Sequence, residues 1–202
     1  MKKLHLILLL IVCGFLIWSG INPYSRFTWY LEIAPAVIGI VILIIIYPKY
    51  KFTDLTYVLI AIQAIILIVG GKYTYAKMPL FDYISEIFGF TRNYYDRLGH
   101  FIQGFVPAMI TREILIRKNI VVKKNWINII TVNICLSISA FYELIEFLVA
   151  KLTGTAAEAF LGTQGDVWDT QWDMTFALFG AIIALILLSR LQDKYIKNTP
   201  IS

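Results

Sequence analysis

Apolar residues run along this chain in six long blocks divided by short polar segments, each near the roughly 20 residues a helix needs to cross a bilayer. The blocks predict spans over residues 4–20, 29–47, 55–71, 94–116, 126–150 and 167–189. The fourth is interrupted by Asp96, Arg97, His100, Gln103 and Pro107, so its polar side must face other helices rather than lipid. Between the third and fourth blocks, Leu80, Tyr83, Ile84, Ile87 and Phe88 recur at helical spacing opposite Asp82, Ser85 and Glu86. That pattern predicts a short amphipathic helix over 79–90, lying on the membrane surface. A further turn or two is predicted over 156–160, closed by Gly162 and Gly165. The fold class is all-α: a polytopic helix bundle forming a single domain over residues 1–202.

Composition agrees with the pattern. The chain is 59% hydrophobic and 15% charged, with a mean hydropathy of +0.73, whereas soluble domains carry roughly a quarter charged residues. A net charge of +5 in a soluble protein would suggest nucleic acid. Here the basic residues sit in short loops, where they set orientation, and no nucleic-acid partner is expected. Eleven of the loop and terminal Lys and Arg fall on the side of the termini and five on the other. This predicts a multi-pass protein of the cell membrane with both termini in the cytoplasm. Met1-Lys2-Lys3 and the apolar run to Gly20 imitate a signal peptide, but the core is long and no Ala-x-Ala-like site precedes Ile21. A retained first span is expected. Cys13 and Cys135 lie in separate apolar runs, a placement that suits packing and neither a disulfide nor a metal framework.

The acids are distributed the other way: ten of them, from Glu32 to Asp173, map to the outer half. In GTQGDVWDTQWDM, from Gly162 to Met174, a helix would place Asp166 and Asp173 about 20° apart and Asp169 about 40° from Asp173. The fourth span brings Asp96 and His100, and the fifth brings Ser139, Glu143 and Glu146 on one face. Alternating topology therefore delivers six carboxylates and one imidazole to a common depth in the outer leaflet. Singly, several are ordinary. Asp166 can cap the sixth helix, while Asp169 and Asp96 suit the positive ends of their helices. Asp173, Glu143 and Glu146 have no such excuse. Arg92, Arg97 or Lys151 can neutralise one or two carboxylates but not all.

Crowded acids in low dielectric cannot all ionise. They must hold protons or surround a divalent cation. Asp96, His100, Glu146, Asp166, Asp169 and Asp173 form a hard ligand set, which favours Mg²⁺, Mn²⁺ or Ca²⁺ and admits Zn²⁺ through His100. Such an ion activates water or polarises a phosphoryl or carbonyl oxygen. Glu143 is the candidate general base, and His100 is the second candidate catalytic group. A Gly-x-Ser-x-Gly elbow, a phosphate-binding Gly-rich loop and His-Glu-x-x-His are all absent from the sequence. Glu143-x-x-Glu146 lacks the Glu-x-x-His pairs of di-iron bundles. Tyr94, Tyr95, Tyr142, Trp168 and Trp172 read as an aromatic belt at the water interface.

The stretches RNYYDRLGHFIQGF from Arg92, FYELIEFLVA from Phe141 and GTQGDVWDTQWDM from Gly162 resemble the YjdF-type bacterial multi-pass membrane proteins. The resemblance covers about the C-terminal two thirds, with matching order and spacing of the acids. It implies a membrane location and a helical fold, and it supplies no activity. More distantly, the chain is similar to VanZ-like cell-envelope proteins, a group associated with glycopeptide resistance. Their Asp-Lys-x-x-His is echoed by Asp96-Arg97-x-x-His100, and their Asp-x-x-Asp-x-x-x-Asn by Asp166-x-x-Asp169-x-x-x-Asp173. Asp173 replaces the Asn, and Glu143-x-x-Glu146 replaces that group's Glu-x-x-Gln, which makes this pocket more acidic.

The leading expectation is a membrane-embedded, metal-dependent hydrolase or transferase acting on a lipid-linked or envelope substrate, with membrane lipid as its surroundings. Segment 79–90 would then serve as a lid on the leaflet side. A cation- or proton-coupled transporter using the same acids is the first alternative. The second is a non-catalytic envelope or assembly protein in which the acids lock three helices together.

Overall fold

The predicted blocks fold as helices whose ends follow local capping chemistry, in a computed structural model that describes residues 1–154, 158–161 and 163–199. The elements are α1 (Lys3–Gly20), α2 (Arg26–Ile46), α3 (Asp54–Tyr73), α4 (Pro79–Phe88), α5 (Tyr95–Arg117), α6 (Lys124–Thr153), α7 (Glu158–Leu161) and α8 (Asp169–Lys197). No strand occurs among the described residues. Ser25 accepts the Thr28 amide at the start of α2, and Thr53 accepts the Thr56 amide at the start of α3. Pro79 opens α4, and Gly89 closes it at φ 68°, a left-handed turn that glycine adopts without a Cβ penalty. The short α7 covers part of the turn predicted over 156–160; Ala156, Ala157 and Gly162 lie outside the described residues.

Among the described residues, five helices are long and apolar enough to cross a membrane: α1, α2, α3, α6 and α8. The protein is an integral membrane protein with several spans. α5 matches them in length, yet it carries buried Asp96, Arg97, His100, Arg112, Glu113 and Arg117. It tolerates these charges because it lies against α8, α6 and α3, away from any apolar surround.

The tightest packing is between α5 and α8. A Cβ on Gly104 would lie 1.8 Å from the Ala177 carbonyl oxygen, and one on Gly180 would lie 2.0 Å from that of Phe101. Only glycine permits backbones to approach this closely. Ala177, Ala181 and Ala184 are fully buried along the same seam. A second apolar unit forms where α1 and α2 pack on α3 through Val12, Ile33, Ala36, Ala61, Ala64 and Ile68. Tyr75 joins the two units. Its ring occupies space that a side chain at Gly70 or Gly99 would need, and it meets Tyr95 edge-on.

Polar contacts place both termini at one end of the bundle. His5 near the start of α1 contacts Tyr47 and Asp54 at 3.0 and 2.9 Å. Near the end of α5, Arg112 donates to Asp193 close to the end of α8 at 2.7 Å. Fully buried Glu113 accepts from Thr53, Thr56 and Arg117. The remaining acids gather at the opposite end.

Candidate functional site

The acidic end is built from α5, α6, α8 and the segments that precede α5 and α8. Asp96 and His100 are one turn apart on α5, as their spacing requires, and both are buried. α6 brings Glu143 and Glu146, also buried. α8 begins at Asp169, two residues later than the predicted span. Asp166 therefore lies in the turn before the helix, where its Oδ1 accepts the Trp168 amide at 2.9 Å. The helical-wheel placement holds for Asp169 and Asp173; Asp166 reaches the same side through the turn instead.

Two arginines divide the acids into layers. In the outer layer, Arg92 donates to Asp169 at 2.8 Å and to Asp166 at 3.3 Å. Arg97 donates to Asp169 at 2.5 Å, to Asp166 and Asp96 at 3.4 Å each, and to Asp173. Charge-assisted contacts of this kind are the strong ones in a dry interior. Asp166 and Asp169 are thus engaged by guanidinium groups. Lys151, the third cation considered from sequence, is exposed at the end of α6.

Beneath this layer lies a smaller group. The Nε2 of His100 is 3.6 Å from Asp96 Oδ1 and 3.6 Å from Asp173 Oδ1. One donor atom each from Asp96, His100 and Asp173 lie within 4.8 Å of one another. A separation of 3.6 Å is too long for a hydrogen bond. It lies in ion-pair range and exceeds the roughly 3.0–3.4 Å between two ligands about 2.1 Å from one ion at octahedral or tetrahedral angles, so an ion would draw the donors slightly inward. Across the ring, Nδ1 faces Glu143 Oε1 at 3.8 Å. Both atoms are buried and have no hydrogen-bond partner among the described residues. Histidine Nδ1 turned toward a carboxylate while Nε2 faces outward is the usual way of fixing a ligand imidazole's tautomer.

Glu146 is buried next to this group, within electrostatic range of Glu143, Asp96 and Asp173, although it is not one of the three clustered donors. Two side chains missing from the predicted site also point here. Glu32 of α2, buried, is within electrostatic range of Asp96 and His100. Its signal in the sequence was a lone carboxylate inside an apolar span. Tyr75, in the turn after α3, is within range of Glu32, Tyr142 and Asp96, and burial pushes its hydroxyl well above its ordinary pKa. No periodicity marks Tyr75, because it lies in a loop at φ 51°. The expected aromatic belt is only partly lipid-facing. Trp168, Trp172 and Tyr94 are exposed, whereas Tyr95 is buried with its hydroxyl on the Ile66 carbonyl. Tyr142 meets His100 edge-on.

The roof is held by Asn93. Its Nδ2 donates to the Met78 carbonyl and to Asp82 at 2.9 and 2.7 Å, which secures the start of α4. Its backbone amide and carbonyl pair with both ends of the Gln164 side chain at 2.8 and 2.9 Å. Ser85 adds a bond from the inward face of α4 to the Arg92 carbonyl at 2.7 Å. Asp82 and Ser85 thus tie α4 to the protein, while Glu86 is exposed along with Leu80, Tyr83, Ile87 and Phe88.

Residues 4–194 match the family described as predicted membrane protein (DUF2238). The inner membrane protein YjdF of Escherichia coli (strain K12) is 45% identical over 183 residues, covering 91% of this chain and 88% of its own length. No solved structure matches the chain.

Proposed function

The chain belongs to the DUF2238 family of predicted membrane proteins, and on that premise we propose a six-span membrane enzyme with a divalent-cation pocket in the outer leaflet. α5 is taken as the sixth span because its polar side faces helices. The excess of Lys and Arg in the loops and tails at the terminal end favours a cytoplasmic position for both termini. Asp96, His100 through Nε2, and Asp173 would hold the ion, with Glu146 the nearest further carboxylate. The donor set suits Mg²⁺ or Mn²⁺ and admits Zn²⁺.

The observation that carries this reading is the clustering of one donor atom each from Asp96, His100 and Asp173 within 4.8 Å, together with the partnerless Nδ1 and Glu143 Oε1 on the far side of the ring. When bound, the ion would supply an activated water or a polarised phosphoryl or carbonyl oxygen. Glu143 orients the imidazole and is placed to accept a proton through it. Arg92 and Arg97 neutralise Asp166 and Asp169, and Arg97 also reaches Asp96 and Asp173, so a bound cation would share those two carboxylates with its guanidinium. The exposed apolar side of α4 lies beside the pocket, which suits a substrate with a lipid tail, a lipid-linked envelope precursor being the class.

Elemental analysis of the purified protein tests the site. Wild type should carry about one divalent ion per chain. Asp173→Asn and His100→Ala should lose it while keeping their helical circular dichroism. Equal metal content in wild type and both variants would remove the proposal.

A transporter reading draws on Thr131 and Ser139, whose buried hydroxyls have no partner among the described residues and which lie below Glu143 on α6. Cys135 and Met109, both fully buried, close that line with apolar atoms. The enzyme reading is therefore preferred.

A further inference from the structure

At the end opposite the acids, α1 and α2 flank α3 and leave a slot of about 210 Å³ between them. Its floor is Tyr57, Ile60, Ala61 and Ala64 of α3, where the alanines give it depth. Its walls come from α1, including Leu8, Leu9 and Val12, and from α2, including Ile40, Leu43 and Ile44. The slot is bridged toward the acidic end by Trp29, which donates to Ser19 at 3.0 Å. At the terminal end it is bridged by His5 and Tyr47.

The polar rim has a definite chemistry. His5, buried, uses both ring nitrogens, one on Tyr47 and one on Asp54, and its ring lies 4.0 Å from that of Tyr57 at a tilt of 39°. Lys2 pairs with Asp54 at 2.8 Å, and Lys51 lies over Tyr47. Lys2, Lys3 and Lys51 are all exposed there, so positive charge exceeds negative at the mouth. Tyr57 is 8% exposed, and its buried hydroxyl has a partner in the Phe52 backbone. Buried hydroxyls ordinarily find one.

We propose that this slot binds one anionic phospholipid. An acyl chain lies along the alanine floor, and the phosphate meets Lys2 and Lys51 at the mouth. Charge complementarity selects this occupant over a zwitterionic lipid or a neutral quinone, since juxtamembrane lysines attract anionic headgroups. The site is independent of the acidic pocket.

Native mass spectrometry of the full-length protein from dodecylmaltoside micelles tests it, with phosphatidylglycerol, phosphatidylcholine and decylubiquinone as probes. Wild type should retain one phosphatidylglycerol in preference to phosphatidylcholine. Lys51→Gln removes one cation from the mouth and should weaken retention by roughly threefold to tenfold, the share of one juxtamembrane lysine. Leu9→Trp fills the slot from a wall and should abolish the bound lipid. Both variants should melt as wild type does in lipid-free micelles. Equal retention of the two phospholipids, retention unaffected by either variant, or displacement by decylubiquinone would overturn the proposal.

Discussion

Arg97 is the residue on which the acidic end depends most directly. It contacts Asp96, Asp166, Asp169 and Asp173 at once, with its side chain only 4% exposed. Removing one member of a buried ionic network leaves charge without compensation and costs about 3–5 kcal/mol. Arg97→Gln should therefore lower thermal stability in detergent by that order. Combining it with Asp169→Asn should restore part of the loss, because fewer uncompensated carboxylates remain. Fluorescence-detected melting of the three variants measures the coupling. Asp96, His100, Glu143, Asp169 and Asp173 were legible in the sequence because helical periodicity fixed their faces and alternating topology fixed their depth. The pairing of two arginines with Asp166 and Asp169 was not, since it depends on how the segment around Arg92 and the turn at Asp166 approach each other. Side-chain reach across loops has no periodic signature.

At the scale of elements, the closeness of α5 and α8 is the feature most sensitive to a single methyl group. Overpacking typically costs about 1–3 kcal/mol. Here the opposing atoms are backbone, which cannot turn aside as a side chain can. Gly180→Ala should fall at or beyond the upper end of that range and separate the two helices that carry Asp96, His100 and Asp173. Gly14→Ala on α1 is the control, because a Cβ there meets nothing within 4 Å. It should be neutral or stabilising by up to about 1 kcal/mol, the difference in helix propensity. Melting temperatures of the two variants side by side check both directions. The six apolar blocks found these helices to within three residues at every end but one, since bilayer thickness dictates length; α8 runs on to Lys197, eight residues past its block. They did not reveal which helices would be neighbours: Gly104 and Gly180 acquire meaning only when they face each other.

For the whole molecule, the separation of charge between the two ends predicts how it sits in a bilayer. Val122, between α5 and α6, is 93% exposed at the terminal end, and Val167, before α8, is 85% exposed at the acidic end. In a background with Cys13 and Cys135 replaced by alanine, Val167→Cys should react with a membrane-impermeant maleimide in intact cells. Val122→Cys should react only after the membrane is opened. The reverse pattern would turn the molecule over and place the acidic pocket in the cytoplasm. Orientation rests on the count of loop cations, which the fold leaves intact by gathering the tails and the loops before α3 and α6 on one side.

Asn93 gives this arrangement a consequence for traffic through the roof. One residue ties α4, which borders the lipid, and ties Gln164, which borders the water. Lifting either partner would strain the same clasp. If the pocket works as proposed, a greasy visitor from the side and an aqueous one from above would have to undo a single latch.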